Sequence, residues 1–141
     1  LKASGSISAS SSSGKNSNND GFDKKLNSKI KSAKKNSANS GGYNSFSNLK
    51  KAVGSPGKGN EWHHIVEQCQ IKKSGLDVQM IQNKNNIISV SKGVHRKISG
   101  YYANTKLGFT EGLSVRNWLV GQSYEAQYDF GINVLKIFEV L

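Results

Sequence analysis

The 141-residue chain predicts an α+β domain preceded by a largely disordered basic arm. Charge distribution is the first reason. Residues 1 to 60 hold 11 Lys, no Arg and two acids, Asp20 and Asp23, for a charge of +9, whereas residues 61 to 141 are nearly balanced at +2. Composition is the second, because the first segment carries 15 Ser, 9 Asn and 8 Gly, residues that favour turns and solvated coil over a packed interior. The third is a change of pattern beyond Gly59, where short β-branched runs alternate with helical periodicity. The expected division is therefore 1–59 for the arm and 60–141 for the folded domain. No run approaches the roughly 20 apolar residues needed to span a bilayer. The chain starts at Leu1 and its only methionine is Met80, which suggests a piece of a longer polypeptide. The lone Cys69 can form no internal disulfide and is expected to act as a small apolar filler.

Within the arm, residues 1 to 20 read as flexible linker. Phe22, Leu26, Ile30 and Ala33 fall at helical spacing behind Asp20, and Phe46, Leu49 and Val53 do so behind Ser45. Both stripes are narrow, so each helix needs something to dock on. Gly54-Ser55-Pro56-Gly57-Lys58-Gly59 then breaks the pattern. Trp62 to Val66 predicts a strand, and Asn86 to Val90 a second one. Ser91 should cap a helix from Lys92 to about Tyr102. Ser114 should open a short helix with Val115, Trp118 and Leu119, closed by Gly121, and Ser123 a longer one in which Tyr128, Gly131, Leu135 and Phe138 recur. The last two helices look like scaffold.

All three histidines, His63, His64 and His95, lie in the folded half. Imidazole exchanges protons near neutral pH and binds metals when neutral. Phosphodiester cleavage needs a base for the attacking oxygen and positive charge for the scissile phosphate, and a histidine pair can divide that labour. Neighbouring strand residues point to opposite faces, so His63 and His64 share one site only if the strand ends, twists or bulges there. Structural roles compete for each residue: a hydrogen-bonded strand histidine, a helix-face histidine at 95, a turn-forming Asn86, a solvated Glu67.

The run Glu61-Trp62-His63-His64-Ile65-Val66-Glu67-Gln68, then Asn83, Asn85-Asn86-Ile87-Ile88 and His95, resembles the HNH, or His-Me finger, nucleases. It is most similar to the C-terminal toxin domains of bacterial polymorphic toxins of the LXG and contact-dependent inhibition classes. The resemblance covers residues 61 to 141, including Ser99 to Tyr102 and Gly112 to Leu119, and leaves out the serine-rich arm. It implies an HNH-like ββα core with added C-terminal helices. It also implies that His64 is the general base, that His63 and His95 are metal ligands, and that Asn86 (or Asn85 or Asn83) orients the base or braces the loop. Nuclease colicins have a further histidine one turn beyond the helix histidine; this sequence has Ser99 there.

With two imidazoles the metal shell would need phosphate, water or an acid such as Glu67. Nitrogen ligands favour zinc, nickel or manganese over magnesium. Metal-independent cleavage is the alternative: RNA supplies its own 2′-hydroxyl, which His64 can deprotonate while His95 or a lysine serves the phosphate or leaving oxygen. The expected activity is thus an endonuclease toxin of interbacterial competition, with RNA favoured and metal-dependent DNA cleavage as runner-up. Delivery by a larger secreted or surface protein into the target-cell cytoplasm, and a cognate, acidic immunity protein, follow from the resemblance. Lys92, Arg96 and Lys97 beside His95 are expected to contact phosphates. Lys24, Lys25, Lys29, Lys31, Lys34 and Lys35 are dense enough to hold nucleic acid by counterion release, or to form a solvated linker. Two rivals are a noncatalytic nucleic-acid-binding module and an adhesin fragment with a low-complexity spacer.

Overall fold

The computed structural model describes residues 41–141. The linker at 1 to 20, the helix behind Asp20 and the lysine cluster at 24 to 35 fall outside the described residues. The chain runs α1 (Phe46–Val53), β1 (Asn60–His64), α2 (Gln70–Lys73), α3 (Val78–Ile81), β2 (Ile87–Ser91), α4 (Lys92–Ala103), α5 (Val115–Trp118) and α6 (Tyr124–Ile137), with 3₁₀ turns at Lys84–Asn86 and Gly108–Thr110. This is a mixed helix and strand architecture, as the α+β expectation required. No helix among the described residues is long and apolar enough to cross a membrane.

Serine caps set four of the helix starts. The side chains of Ser45, Ser91, Ser114 and Ser123 accept hydrogen bonds from the backbone N–H groups of Asn48, Val94, Asn117 and Ala126 at 3.0, 3.2, 3.0 and 3.1 Å. Each answers a donor that has no partner inside its helix. Behind Ser91, α4 follows β2 without a loop.

β1 and β2 form one antiparallel pair in which Asn60 faces Ser91, Trp62 faces Ser89 and His64 faces Ile87. A two-stranded ribbon is marginal alone, and here it is held by packing. The core joins Ile65 and Val66 beyond β1, Ile98 and Tyr102 of α4, Val115 and Trp118 of α5, and Tyr128, Ile132 and Leu135 of α6.

The first strand is two residues earlier than the apolar run suggested. It spans Asn60–His64, not Trp62 to Val66. Ile65 and Val66 are nearly fully buried, beyond the end of the strand. Ile65 N–H donates to Asn86 O at 2.8 Å, and the Asn86 side chain then takes up the Val66 backbone, so the chain bends away from β2. α6 comes so close that a Cβ on Gly131 would collide with the Ile65 carbonyl oxygen and lie 2.9 Å from Ile65 Cγ2. Tyr128 O–H, also on α6, donates to Asn85 O at 2.9 Å. The short helix behind Ser114 ends at Trp118, with Leu119 as its C-cap, ahead of Gly121.

The packed unit reaches back past the compositional division at Gly59. Leu49 of α1 is fully buried, Trp62 Nε1–H donates to Gly54 O at 3.0 Å, and Gly42 forms an isolated bridge to Asn83.

Candidate functional site

The end of β1 opens into a cleft of about 370 Å³ whose walls include Phe46, all three histidines, Glu67, Ser99, Tyr102 and Arg116. Strand alternation sends His63 and His64 to different neighbours. Because β1 stops at His64, the cleft still reaches both. This meets the geometric condition that the His-His pair imposed.

His63 faces the helix. Its ring lies 5.3 Å from that of His95, centroid to centroid, at an interplanar angle of 78°. Only 4% of the residue is exposed, and its Nε2 is buried with no hydrogen-bond partner among the described residues. Burial, reinforced by the nearby His95 and His64, pushes its pKa down to about 3. His63 is therefore a neutral ring with an unclaimed nitrogen.

His95 is half-buried and bonded through Nδ1 to Glu61 Oε1 at 2.6 Å. That hydrogen bond, helped by Lys92 and Arg96, holds the Glu61 carboxyl below its usual range. A carboxylate on Nδ1–H orients the ring and leaves Nε2 as its free end. Glu61 stands two residues before His63, hence on the same face of β1; period-two reading of the strand would have found it.

His64 is 7% exposed. Its ring meets Phe46 edge-on at 4.7 Å between centroids, and its Nε2 lies 2.9 Å from Gln82 Oε1. Gln82 Nε2–H in turn donates to Gln68 Oε1 at 2.7 Å. This chain presents the Gln82 oxygen to the ring, so Nε2 carries the proton and Nδ1 keeps a lone pair. Burial lowers the His64 pKa, against a smaller upward pull from the Gln82 hydrogen bond. A neutral, oriented imidazole suits a general base.

Asn86 braces the site and makes no hydrogen bond to a histidine among the described residues. It is fully buried; its Oδ1 accepts from Val66 N–H at 2.9 Å, and its Nδ2 donates to Val66 O at 3.0 Å and Ile81 O at 2.9 Å. The bend that ends β1 beside His64 is thus fastened by this side chain. Asn83 caps the 3₁₀ turn through Asn85 N–H at 2.9 Å, and the Asn85 carbonyl serves Tyr128.

Lys92, Arg96 and Lys97 are exposed on α4, outside the cleft walls. The cation in the cleft is Arg116. Its Nε donates to both oxygens of Glu67, at 3.0 and 3.1 Å, and its Nη2 to Oε2 at 2.6 Å. Both Glu67 oxygens are engaged this way. Separated by 49 positions, the pair had no local sequence signal. Ser99 also lines the cleft. Among the described residues no group of three His, Cys, Asp or Glu side chains could hold a metal. Cys69 is a half-buried part of the cleft wall, its thiol pKa raised by burial and by Glu67.

The arrangement brings the neutral His64, the neighbouring rings of His63 and His95, and the Arg116 guanidinium around one cleft. Compared with protein-family models, curated proteins and solved structures, the chain finds no match.

Proposed function

We propose that this chain cleaves nucleic-acid phosphodiester bonds, with RNA as the favoured substrate, and that it acts as a toxin domain of the HNH-like ββα kind. The observation that carries the reading is the convergence of His63, His64 and His95 on one cleft at the end of β1. His64, neutral and steered by Gln82, takes the proton from the attacking oxygen, which in RNA is the 2′-hydroxyl. His95, backed by Glu61, faces the phosphate or the leaving oxygen. Lys92, Arg96 and Lys97 on the exposed side of α4 supply charge for the flanking strand. A cognate immunity protein with an acidic face and delivery into a target cell belong to the same proposal.

A second reading, metal-dependent hydrolysis of DNA, is favoured by the unclaimed Nε2 of His63. His63 and His95 would be the two protein ligands of such a cation, and since no third His, Cys, Asp or Glu joins them among the described residues, water and the substrate phosphate would have to complete its shell. When bound, the cation supplies positive charge to the scissile phosphate and acidifies a water. His64 remains the base in either case.

Purified protein incubated with RNA and with duplex DNA, each with and without chelator, tests both. Shortening of RNA that persists in chelator supports the first reading, and chelator-sensitive cleavage the second. His64→Ala should lower the rate by roughly 10²–10⁴-fold. A folded His64→Ala protein that cleaves as fast as the parent refutes the assignment, and binding without any shortened strand refutes enzymatic function.

A further inference from the structure

The cleft has polar groups that base chemistry at His64 does not use. Tyr102 lies on α4 seven residues after His95, two turns along the same side of the helix. Its ring packs into the core at 2% exposure, while its hydroxyl is buried without a hydrogen-bond partner among the described residues. Buried hydroxyls are rarely left unpaired, and such an orphan in a cleft calls for an explanation.

Arg116 reaches the same cleft from α5. Glu67 grips Nε and Nη2, which fixes the guanidinium plane and leaves Nη1 as the donor edge with no partner among the described residues. The Tyr102 hydroxyl is close enough to this pair to be raised in pKa by Glu67 and lowered by Arg116, both secondary to the large effect of burial. A purely structural role for the Arg116–Glu67 clip accounts for the joining of α5 to the loop after β1. It leaves the Tyr102 hydroxyl unexplained. Two unclaimed donors, one of them cationic, suit a ligand atom that is anionic and rich in lone pairs. A nonbridging phosphate oxygen has that chemistry.

We infer that Tyr102 and Arg116 form an anion subsite in the cleft that holds a phosphate of the bound strand. The identity of the anion rests on the phosphodiesterase reading; the two unclaimed donors on residues lining one cleft do not. Arg116 binds through Nη1 with its plane preset by Glu67, and Tyr102 donates its O–H.

The test uses the whole chain and inorganic phosphate as probe, followed through the Arg116 Nε–H resonance by NMR. A labelled oligoribonucleotide is titrated in parallel into His64→Ala protein by fluorescence anisotropy. Phosphate should shift the Arg116 signal. Tyr102→Phe and Arg116→Lys should each weaken phosphate and oligonucleotide binding by roughly tenfold or more, as expected for a lost hydrogen bond to a charged group. Tyr102→Phe should at the same time melt at or above the parent temperature, because it removes an unpaired buried hydroxyl without changing the ring. An Arg116 resonance unmoved by phosphate, or variants that bind both probes as well as the parent, overturns the subsite. A chain that binds phosphate at Arg116 but cleaves neither RNA nor DNA refutes the phosphodiesterase reading alone. A chain that cleaves RNA with no effect of either variant on binding refutes the subsite alone.

Discussion

Replacing Asn86 by Ala should cost this fold a large part of its stability. The side chain is fully buried and satisfies three backbone groups: the N–H and carbonyl of Val66 and the carbonyl of Ile81. Val66 and Ile81 are themselves buried, so water has no easy route to the vacated partners. Each stranded group costs about 1–3 kcal/mol, which puts the total near ~3 kcal/mol or more. That is a substantial share of the roughly 5–15 kcal/mol typical of a domain. It corresponds to a fall in melting temperature of roughly 12 °C or more for about 100 residues. Urea denaturation followed by circular dichroism is the assay, with the midpoint expected to fall at unchanged slope. Asn86→Asp should also destabilise, because a carboxylate keeps the acceptor for Val66 N–H but sets negative oxygen against two carbonyls. A loss below about 1 kcal/mol in Asn86→Ala, with cleavage abolished, would refute the brace and point to a direct role in the chemistry.

Three further outcomes follow from the geometry. The His63 ring, pushed down to about 3 from an ordinary value of 6.5, refuses a proton that the unfolded chain accepts. Its contribution is full above pH 6.5 and is lost as pH falls toward 3, at up to roughly 1.4 kcal/mol per unit. His63→Gln should flatten the decline in urea midpoint between pH 7 and 4.5, and an equally steep decline in the variant would rule His63 out as its source. Gln82→Leu removes the acceptor that steers His64 and should reduce kcat by roughly five- to tenfold, the worth of about one hydrogen bond; unchanged turnover in a folded variant contradicts the Gln82 role. Gly131→Ala drives a methyl group into the Ile65 backbone and should destabilise by about 1–3 kcal/mol, the usual range for overpacking. A thermal melt indistinguishable from the parent would show that α6 can retreat.

The parts of this structure written locally were readable in the chain. Ser45, Ser91, Ser114 and Ser123 each sit before a helical stripe, and each caps the helix so expected. β2 was expected at Asn86 to Val90 and lies at Ile87–Ser91; α4 runs one residue beyond its expected end. The three histidines were expected at one site, and all three line one cleft, with His63 against His95 and His64 against Phe46 and Gln82. Misread were features decided by distant partners. Ile65 and Val66 look like strand residues because they are apolar, but after one further in-register bond from Ile65 N–H to Asn86 O the pairing stops, because the Asn86 side chain, some twenty positions on, takes up the backbone of Val66. The single-turn helices α2 and α3 are too short for any period to show. Gln82 and Arg116 become site residues only through Gln68, His64 and Glu67, which no spacing rule connects to them. Glu61 was within reach, since a carboxylate at i−2 from a strand histidine shares its face.

The wall that Phe46 supplies to His64 comes from the serine-, asparagine- and lysine-rich side of the chain, not from the half whose composition reads as globular. Excision at residue 59 would yield a fragment lacking α1. The socket that Leu49 fills would then be bare, and the edge of the His64 imidazole would lie open to bulk water. Greater hydration would ease protonation of that ring, making such a fragment a poorer proton acceptor in mildly acidic solution even if its sheet survived. The packed unit around His64 is therefore larger than the low-complexity boundary implies.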